Sequence, residues 1–435
     1  MNINVGLIGF GTVGSGVVKI LQSNHGLIEK RLGASIVLKK IADRDIHSPK
    51  PIQVDRSLLT TEVNEVLDDP EISIVIELIG GYEPAKTFIL RAIENGKHVV
   101  TANKALLATH GQEIFAAAAK MRVDIGFEAS VGGGIPVIKA IKEGLVADDI
   151  RSIFGIMNGT ANYILSKMTN EGSSFEEALK DAQIRGYAEA DPTLDVEGID
   201  TVHKLAILIS LAYGVHIRLE DIYTEGITKI EPIDLKFADE FGYNIKLLAI
   251  SKNDERGVEA RVHPTMIPKT HILSNVNGVY NAFQIMGDSV GHILLYGLGA
   301  GMMPAGSAVV SDLVDLSRNI LYGSIRRVSP LSYQDYCMVP KSIIPIDELF
   351  SRYYFRFSAV DRPGVLSKIS GILGQNNISI SSVIQKGREI KGSVPIVMMT
   401  HEAREADVRR ALAEIDKLDV VTDKTILIRI EHKEF

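Results

Sequence analysis

The stretch NVGLIGFGTVGSGVVKILQ, residues 4–22, constrains the fold more than any other part of the chain. An apolar run ends in Gly9, Gly11 and Gly14, a G-x-G-x-x-G spacing, and passes straight into a helical pattern. Strand, turn and helix in that order give each glycine a task. Gly9 permits the tight turn, Gly11 lets a pyrophosphate approach the backbone, and Gly14 lets helix and strand pack closely. The free N–H groups of the helix then face the phosphates. A glycine-rich βα turn without a ligand is the plainer alternative, and the complete context disfavours it.

The rest of the first 130 residues continues the alternation. SIVLKKIADRD, ISIVIELIGG and KHVVTAN read as strands, whereas EPAKTFILRAIENG, closed by Gly96, and KALLATHGQEIFAAAAKM read as helices. Apolar strands separated by helices imply a parallel sheet covered on both faces. The end of the second strand should meet the adenosine ribose. Asp43 would accept from a 2′-hydroxyl and favour NAD, whereas Arg44 would pair with a 2′-phosphate and favour NADP. Both are present, so that preference stays open. Asp43 lies further from the glycines than the usual ~20 residues, and HGLIEKRLGAS supplies the extra length.

From about residue 130 the pattern changes to helices, at TANYILSKMT, SFEEALKDAQIRG and about 198–213, followed by the strands NIKLLAISKN, VEARVHPTMI, GVYNAFQIMG and GHILLYGLG. SAVVSDLVDLSRNIL is expected to be a helix returning to the first domain. The expected organisation is α/β: a Rossmann-type parallel-sheet domain over 1–130 with a return helix at about 305–325, and an α+β substrate and oligomerisation domain over 131–330. A proline-bearing linker over 331–350 leads to a ferredoxin-like βαββαβ domain over 351–435.

Composition excludes several classes. The net charge of −7 argues against a nucleic-acid surface, which needs a clustered basic face. One cysteine, Cys337, forms no internal disulfide and no thiolate-rich metal site, which points to a reducing compartment. The N-terminus lacks the features of a signal peptide, and no apolar run approaches the ~20 residues that span a bilayer. The expectation is a cytoplasmic protein without nucleic-acid or membrane partners.

GYAEADPTLDVEGIDTVHKLAIL, residues 186–208, holds five carboxylates within twelve residues: Glu189, Asp191, Asp195, Glu197 and Asp200. Lys204 follows four residues after Asp200, on the same helix face, with Ile199, Val202, Leu205, Ala206 and Ile209 as the opposite, core stripe. A plain surface pair would contribute only ~0.3–0.5 kcal/mol. Five acids so close repel one another unless they are solvated or bind cations, and a substrate ammonium is one such cation. A lysine among them, near a substrate oxygen, can give or take a proton. His203 reads as a partly exposed or core histidine. Lys104, after the TAN strand end, lies at the sheet edge where ligands bind, as either a helix-start surface lysine or a catalytic one. FEASVGGGIP, residues 127–136, is either an interdomain turn or, with Glu128, a source of oxygen ligands for a hard cation. An acyl-enzyme route needs a cysteine nucleophile, and Cys337 has no activating neighbour. The hydride partner is therefore expected to be an alcohol/carbonyl pair.

GFGTVGSG, TANKALL, FEASVGGGIP, NGTANYIL, GYAEADPTLDVEGIDTVHKL and GLGAGMMP occur in this order over residues 1 to about 325, and in this the chain closely resembles homoserine dehydrogenases. The tail, with DRPGVLSKISGILGQNNISI, resembles an ACT domain, a small amino-acid-sensing module. The resemblance implies reversible NAD- or NADP-dependent interconversion of L-homoserine and L-aspartate 4-semialdehyde, in threonine, methionine and isoleucine biosynthesis. It implies Lys204 as proton donor and acceptor, assisted by Lys104. Glu189 and Asp200, with Asp195 nearby, would hold the amino-acid substrate, chiefly its ammonium, and Gly159 and Thr160 would line its pocket. Phe10, Thr12, Val13, Arg44, Lys104, Gly186 and Gly301 would join the loop glycines at the cofactor. Glu128 and the backbone oxygens of Val131, Gly133 and Ile135 would hold a monovalent cation, typically Na+. One departure is PAGSAV from Pro304, where the family reads PTASAV; it touches no proposed catalytic group. A homodimer or homotetramer is expected, with an amino-acid effector such as threonine at the tail or a tail that only dimerises. Two competing readings are a non-enzymatic dinucleotide- and amino-acid-binding sensor and an amino-acid dehydrogenase acting at a C–N bond.

Overall fold

The computed structural model describes residues 2–385 and 393–431. The chain divides into two compact units: Met1–Ile153, Asp200–Glu220 and Tyr280–Lys341 form one, and Phe154–Ile199, Asp221–Val279 and Ser342–Phe435 form the other.

The first unit is built on a parallel sheet. In chain order come β1 (Asn2–Ile8), α1 (Thr12–Ser23), α2 (His25–Leu32), β2 (Ser35–Ala42), β3 (Leu59–Thr60), α3 (Asn64–Leu67), β4 (Ile74–Glu77), α4 (Ala85–Glu94), β5 (His98–Thr101), α5 (Lys104–Met121) and β6 (Ile125–Gly126). Side by side the strands run β3-β2-β1-β4-β5-β6, and every pairing is parallel. All four residues of β4 and of β5 are buried, as a sheet covered on both faces requires. Strand order reverses between β1 and β4, and an open parallel sheet binds its ligands at the carboxyl ends beside such a reversal. α2 is the expected insertion; it ends on Gly33 in the left-handed conformation and accounts for the long spacing from the glycines to Asp43.

The return helix, Met302–Tyr322, starts a few residues before the expected position and crosses α1. Val17 and Val18 of α1 share one buried core with Val309, Leu313 and Leu316. The crossing is close because both helices carry glycine there. A Cβ on Gly16 would collide with the Met302 carbonyl oxygen, and one on Gly306 would lie 2.8 Å from the Gly16 carbonyl carbon. The PAGSAV departure thus falls on the helix contact itself.

In the second unit the strands Tyr243–Asp254 and Gly257–Pro268 form an antiparallel hairpin. The tail supplies Phe350–Ala359, the helix Val365–Gln375, Ile380–Gln385, Val394–Thr400, the helix Glu405–Ile415 and Val421–Ile430, which is the expected βαββαβ order. Tyr353, Phe355, Phe357, Ile369, Met398 and Val408 fill its core. The tail's last strand pairs in parallel with Gly257–Pro268 at Thr265↔Arg429 and Met266↔Ile430. Arg429, 1% exposed, fastens this junction by ion pairs to Glu405 and, at 3.0 Å, to Glu225. The segment 331–350 shows no periodicity because its backbone bonds are made singly. Val339 N–H donates to the Gly214 carbonyl, and Ile344 N–H donates to the Val258 carbonyl. Gly364 has φ +88, which makes the left-handed turn before its helix, and has nothing within 4 Å of an added Cβ.

The α1 crossing yields a prediction. Gly16→Val should lower the unfolding free energy by about 1–3 kcal/mol in urea titrations, the usual cost of overpacking a fixed contact. An unchanged midpoint would show that the two helices separate freely.

Candidate functional site

The glycine loop divides its work among its residues. Gly9 has φ +100, and an added Cβ would lie 2.8 Å from the Leu78 backbone. A Cβ on Gly14 would collide with the Gly9 carbonyl oxygen. Gly11 is the N-cap of α1 and has nothing within 4 Å of an added Cβ. One glycine turns the chain, one packs the helix on the turn, and one leaves the space that a pyrophosphate needs. The loop therefore fits a dinucleotide. Thr12 is exposed and Val13 half-buried at the same helix start, whereas Phe10 is buried. The Phe10 N–H donates to the Asp43 carboxylate, which also accepts from the Asp45 N–H at 2.8 Å. Asp43 thus ties the second strand to the glycine loop, while Arg44 next to it is exposed. Gly301, with φ +116, is the N-cap of the Met302–Tyr322 helix.

The same unit carries both proposed catalytic lysines. Lys104 is the first residue of α5, where the Asn103 side chain caps the helix by accepting from the Leu106 N–H at 3.1 Å. Asp200 and Lys204 lie on the first turns of the helix Ile199–Tyr213. One Asp200 oxygen is 2.9 Å from the Lys104 ammonium and the other is 2.6 Å from that of Lys204. The Asp200 side chain is 7% exposed, that of Lys204 10%, and that of Lys104 40%. Burial alone would raise the Asp200 carboxyl, but the two ammonium groups outweigh it and hold it well below the usual carboxylate range.

This is no surface pair. Every residue from Asp200 to Ile209 is buried, so the expected division into a polar face and a core stripe gives way to a helix buried all round. His203 is buried too, and burial lowers its pKa and favours the neutral ring.

The other carboxylates of the acidic stretch belong to the second unit and have separate tasks. Asp191 accepts from the Thr193 N–H and hydroxyl, at 3.1 and 2.6 Å, within its own turn. Asp195 accepts from the Asn158 side chain at 2.7 Å, and Glu197 from the Thr228 hydroxyl at 3.1 Å. Glu189 is exposed, three residues after Gly186, which has φ +72. Gly159 opens the helix Gly159–Glu171, and the Thr160 hydroxyl donates to the Tyr187 carbonyl at 2.6 Å. Within the first unit, Asp200 is the acid of this stretch that meets the lysines.

FEASVGGGIP folds as a tight turn in the first unit, with Gly132 at φ +73 and Gly133 at φ +56. A Cβ on Gly133 would collide with the Gly299 carbonyl oxygen. Glu128 is 3% exposed, and its two oxygens accept from the N–H groups of Ile138 and Lys139 at 2.8 and 2.9 Å. Burial, with the neighbouring Asp312, pushes its carboxyl up to about 7. Val131 and Ile135 lie in the same turn and are buried. The Ile135 carbonyl accepts from the Val137 N–H at 2.8 Å, so here, as at Glu128, oxygens of this turn already take backbone donors. Among the described residues no group of three or more His, Cys, Asp or Glu side chains is arranged to hold a metal.

Sequence reasoning missed Glu77, Thr101 and Asn103, which surround the start of α5. Asn103 had a signal, as an Asn immediately before a helical run. Glu77 had a weaker one, a single acid closing an otherwise apolar strand.

The Asp200 pairing has a pH signature. Its folded-state pKa lies below the ordinary value of 3.8, so its stabilisation is fully present above that value and is lost as pH falls toward the folded pKa. Asp200→Asn should cost about 3–5 kcal/mol at pH 7 by urea unfolding, with the gap to wild type narrowing below about pH 4. A gap that persists undiminished at pH 3 would contradict the pairing.

Comparison with known proteins matches three family models: a homoserine dehydrogenase NAD-binding domain at residues 9–128, homoserine dehydrogenase at 136–314 and an ACT domain at 353–420. A homoserine dehydrogenase of Pseudomonas aeruginosa is 47% identical over 431 residues, 99% of each chain. One from Bacillus subtilis is 40% identical over 434 residues, 99% of this chain and 98% of the relative. The crystal structure of a homoserine dehydrogenase from Thiobacillus denitrificans superposes with a TM-score of 0.92 at 46% identity, over 99% of both chains. That of the Staphylococcus aureus enzyme gives 0.76 at 33% identity, again over 99% of both chains.

Proposed function

The chain belongs to the homoserine dehydrogenase family, NAD(P)-dependent oxidoreductases acting on a CH–OH group, and from that premise we propose that it interconverts L-homoserine and L-aspartate 4-semialdehyde, with Lys204 moving the substrate proton. The supporting observation is the buried carboxylate of Asp200 shared by two amines at 2.9 and 2.6 Å.

In the oxidising direction the substrate hydroxyl loses a proton from oxygen and a hydride from carbon. The bound nicotinamide supplies the hydride acceptor. Lys204, as the free amine, takes the hydroxyl proton, and Asp200 beside it stabilises the ammonium that results. In the reducing direction the same ammonium returns the proton to the carbonyl oxygen. Lys104 holds a second positive charge at the other oxygen of Asp200, which favours the oxyanion as it develops. Glu189 and Asp200, with Asp195, hold the substrate ammonium, and Gly159 and Thr160 line the pocket. Phe10, Thr12, Val13, Gly186 and Gly301 accompany the loop glycines at the cofactor. The exposed Arg44 suits a 2′-phosphate, and Asp43, held by the Phe10 N–H, leaves Arg44 the freer group to read it.

Glu128 with the oxygens of Val131, Gly133 and Ile135 is the proposed seat of a monovalent cation, Na+ in the first instance. The tail is a proposed amino-acid effector site, for threonine before others, in an enzyme supplying threonine, methionine and isoleucine biosynthesis. The matched family regions support a cofactor domain to about residue 130, a catalytic domain to about 330 and a regulatory tail from about 351. Exposed Tyr296 and Leu298 on the strand Gly291–Leu298 support self-association as a homodimer or homotetramer. The single cysteine supports a cytoplasmic location, and no described helix is long and apolar enough to cross a membrane.

Lys204→Ala should lower kcat for homoserine oxidation by about 10²–10⁴-fold while the affinity for NADPH, measured by fluorescence titration, stays at the wild-type value. Near-normal turnover would remove Lys204 from the chemistry. Glu189→Gln should raise KM for homoserine by about 10–100-fold, as loss of a charge-assisted hydrogen bond does, and an unchanged KM would free Glu189 from the substrate.

A further inference from the structure

We propose that Glu77 is a positioning residue for the reaction, setting Lys104 through a closed ring of hydrogen bonds with Thr101, Asn103 and the Gly80–Gly81 turn. The inference rests on Lys104 acting in the reaction as read above. Glu77 closes β4 at the carboxyl edge of the sheet and is fully buried. One of its carboxylate oxygens accepts from the N–H groups of Ile79 and Gly80, at 2.8 and 3.3 Å. The other accepts from the Thr101 hydroxyl at 2.7 Å. That hydroxyl oxygen accepts in turn from the Asn103 N–H at 3.0 Å, and the Asn103 amide donates to the Gly81 carbonyl at 2.6 Å. Gly80 and Gly81 complete the circuit back to Glu77. The remaining oxygen of Asn103 caps α5, whose first residue is Lys104.

Three features argue that this ring is there for position. Gly80 and Gly81 have φ of +72 and +73 and nothing within 4 Å of an added Cβ, so hydrogen bonds rather than packing hold the turn. The donors that Glu77 takes are uncharged, so the burial of a carboxylate here is costly, and a residue kept only for stability would be apolar or an amide. Burial pushes the Glu77 carboxyl up, and the three donors pull the other way. The direction of the bonds also requires a pure acceptor. The Glu77 carboxylate can only accept, so the Thr101 hydroxyl donates to it and uses a lone pair for the Asn103 N–H, whereas the amide of glutamine could turn a second donor toward the threonine. The same segment reaches the glycine loop, since the Leu78 N–H donates to the Ile8 carbonyl at 2.8 Å. One carboxylate thereby references the helix start of Lys104 to the cofactor turn.

The test compares Glu77→Gln, Thr101→Val, Thr101→Ser, the Glu77→Gln/Thr101→Val double variant and Lys104→Ala. For each, kcat is measured per active site, counted by stoichiometric cofactor binding, beside the melting temperature. Glu77→Gln and Thr101→Val should each lower kcat per site by about 10–100-fold, the usual effect of displacing a catalytic group by about 1 Å. The double variant should be no slower than the slower single, because both break one ring. Thr101→Ser, which keeps the hydroxyl, should restore most of the rate. If both singles melt earlier but turn over normally per bound cofactor while Lys104→Ala is inactive, Glu77 is structural and the proposal is overturned. Losses that add in the double variant would overturn it equally. Wild-type turnover by Lys104→Ala would instead overturn the role of Lys104 itself.

Discussion

A single buried carboxylate between two amines is the constraint on which the rest of the first unit depends. Asp200 reaches Lys104 at the start of α5 and Lys204 one turn along its own helix. Two ammonium groups at this separation would repel in a region largely withdrawn from water, and the shared carboxylate offsets that repulsion. The helix that carries Asp200 and Lys204 is apolar on its other faces and buried all round, so neither group can move far to escape the other.

The scaffold explains why these groups stay in register with the nucleotide turn. α1 is pinned from one side by the Gly9–Gly14 contact and from the other by the glycine crossing with the Met302–Tyr322 helix. α5 starts from the next strands of the same sheet, referenced through Glu77 and Asn103. In the second unit, Arg429 binds the tail's last strand to the Gly257–Pro268 strand, so the tail is an extension of that sheet and not a module hung on a loose tether. An effector there would act on a continuous strand array.

Much of this was legible in the sequence where a local rule has a local cause. The glycine spacing, the apolar strands and the βαββαβ tail follow from turn chemistry and hydrophobic period, and each appears in the structure. The acidic stretch was legible only in part. Charge density along the chain does not say that Asp191 accepts from Thr193, Asp195 from Asn158 and Glu197 from Thr228. Which carboxylate meets which partner depends on contacts far apart in sequence, which no local pattern carries. The same limit hid Glu77, whose partners lie on the next strand of the sheet. It also hid the full burial of the Lys204 helix, because the i,i+4 pair fits a surface helix equally well.

The central claim is spatial: the Lys204 amine meets the substrate oxygen while Asp200 holds it there. The most direct measurement is a crystal structure of the enzyme with oxidised cofactor and homoserine bound. The expected result is the Lys204 Nζ at about 2.6–3.2 Å from the homoserine hydroxyl oxygen, with Asp200 still in contact with both lysines. A homoserine hydroxyl seated away from Lys204, against another proton-transferring group, would contradict it.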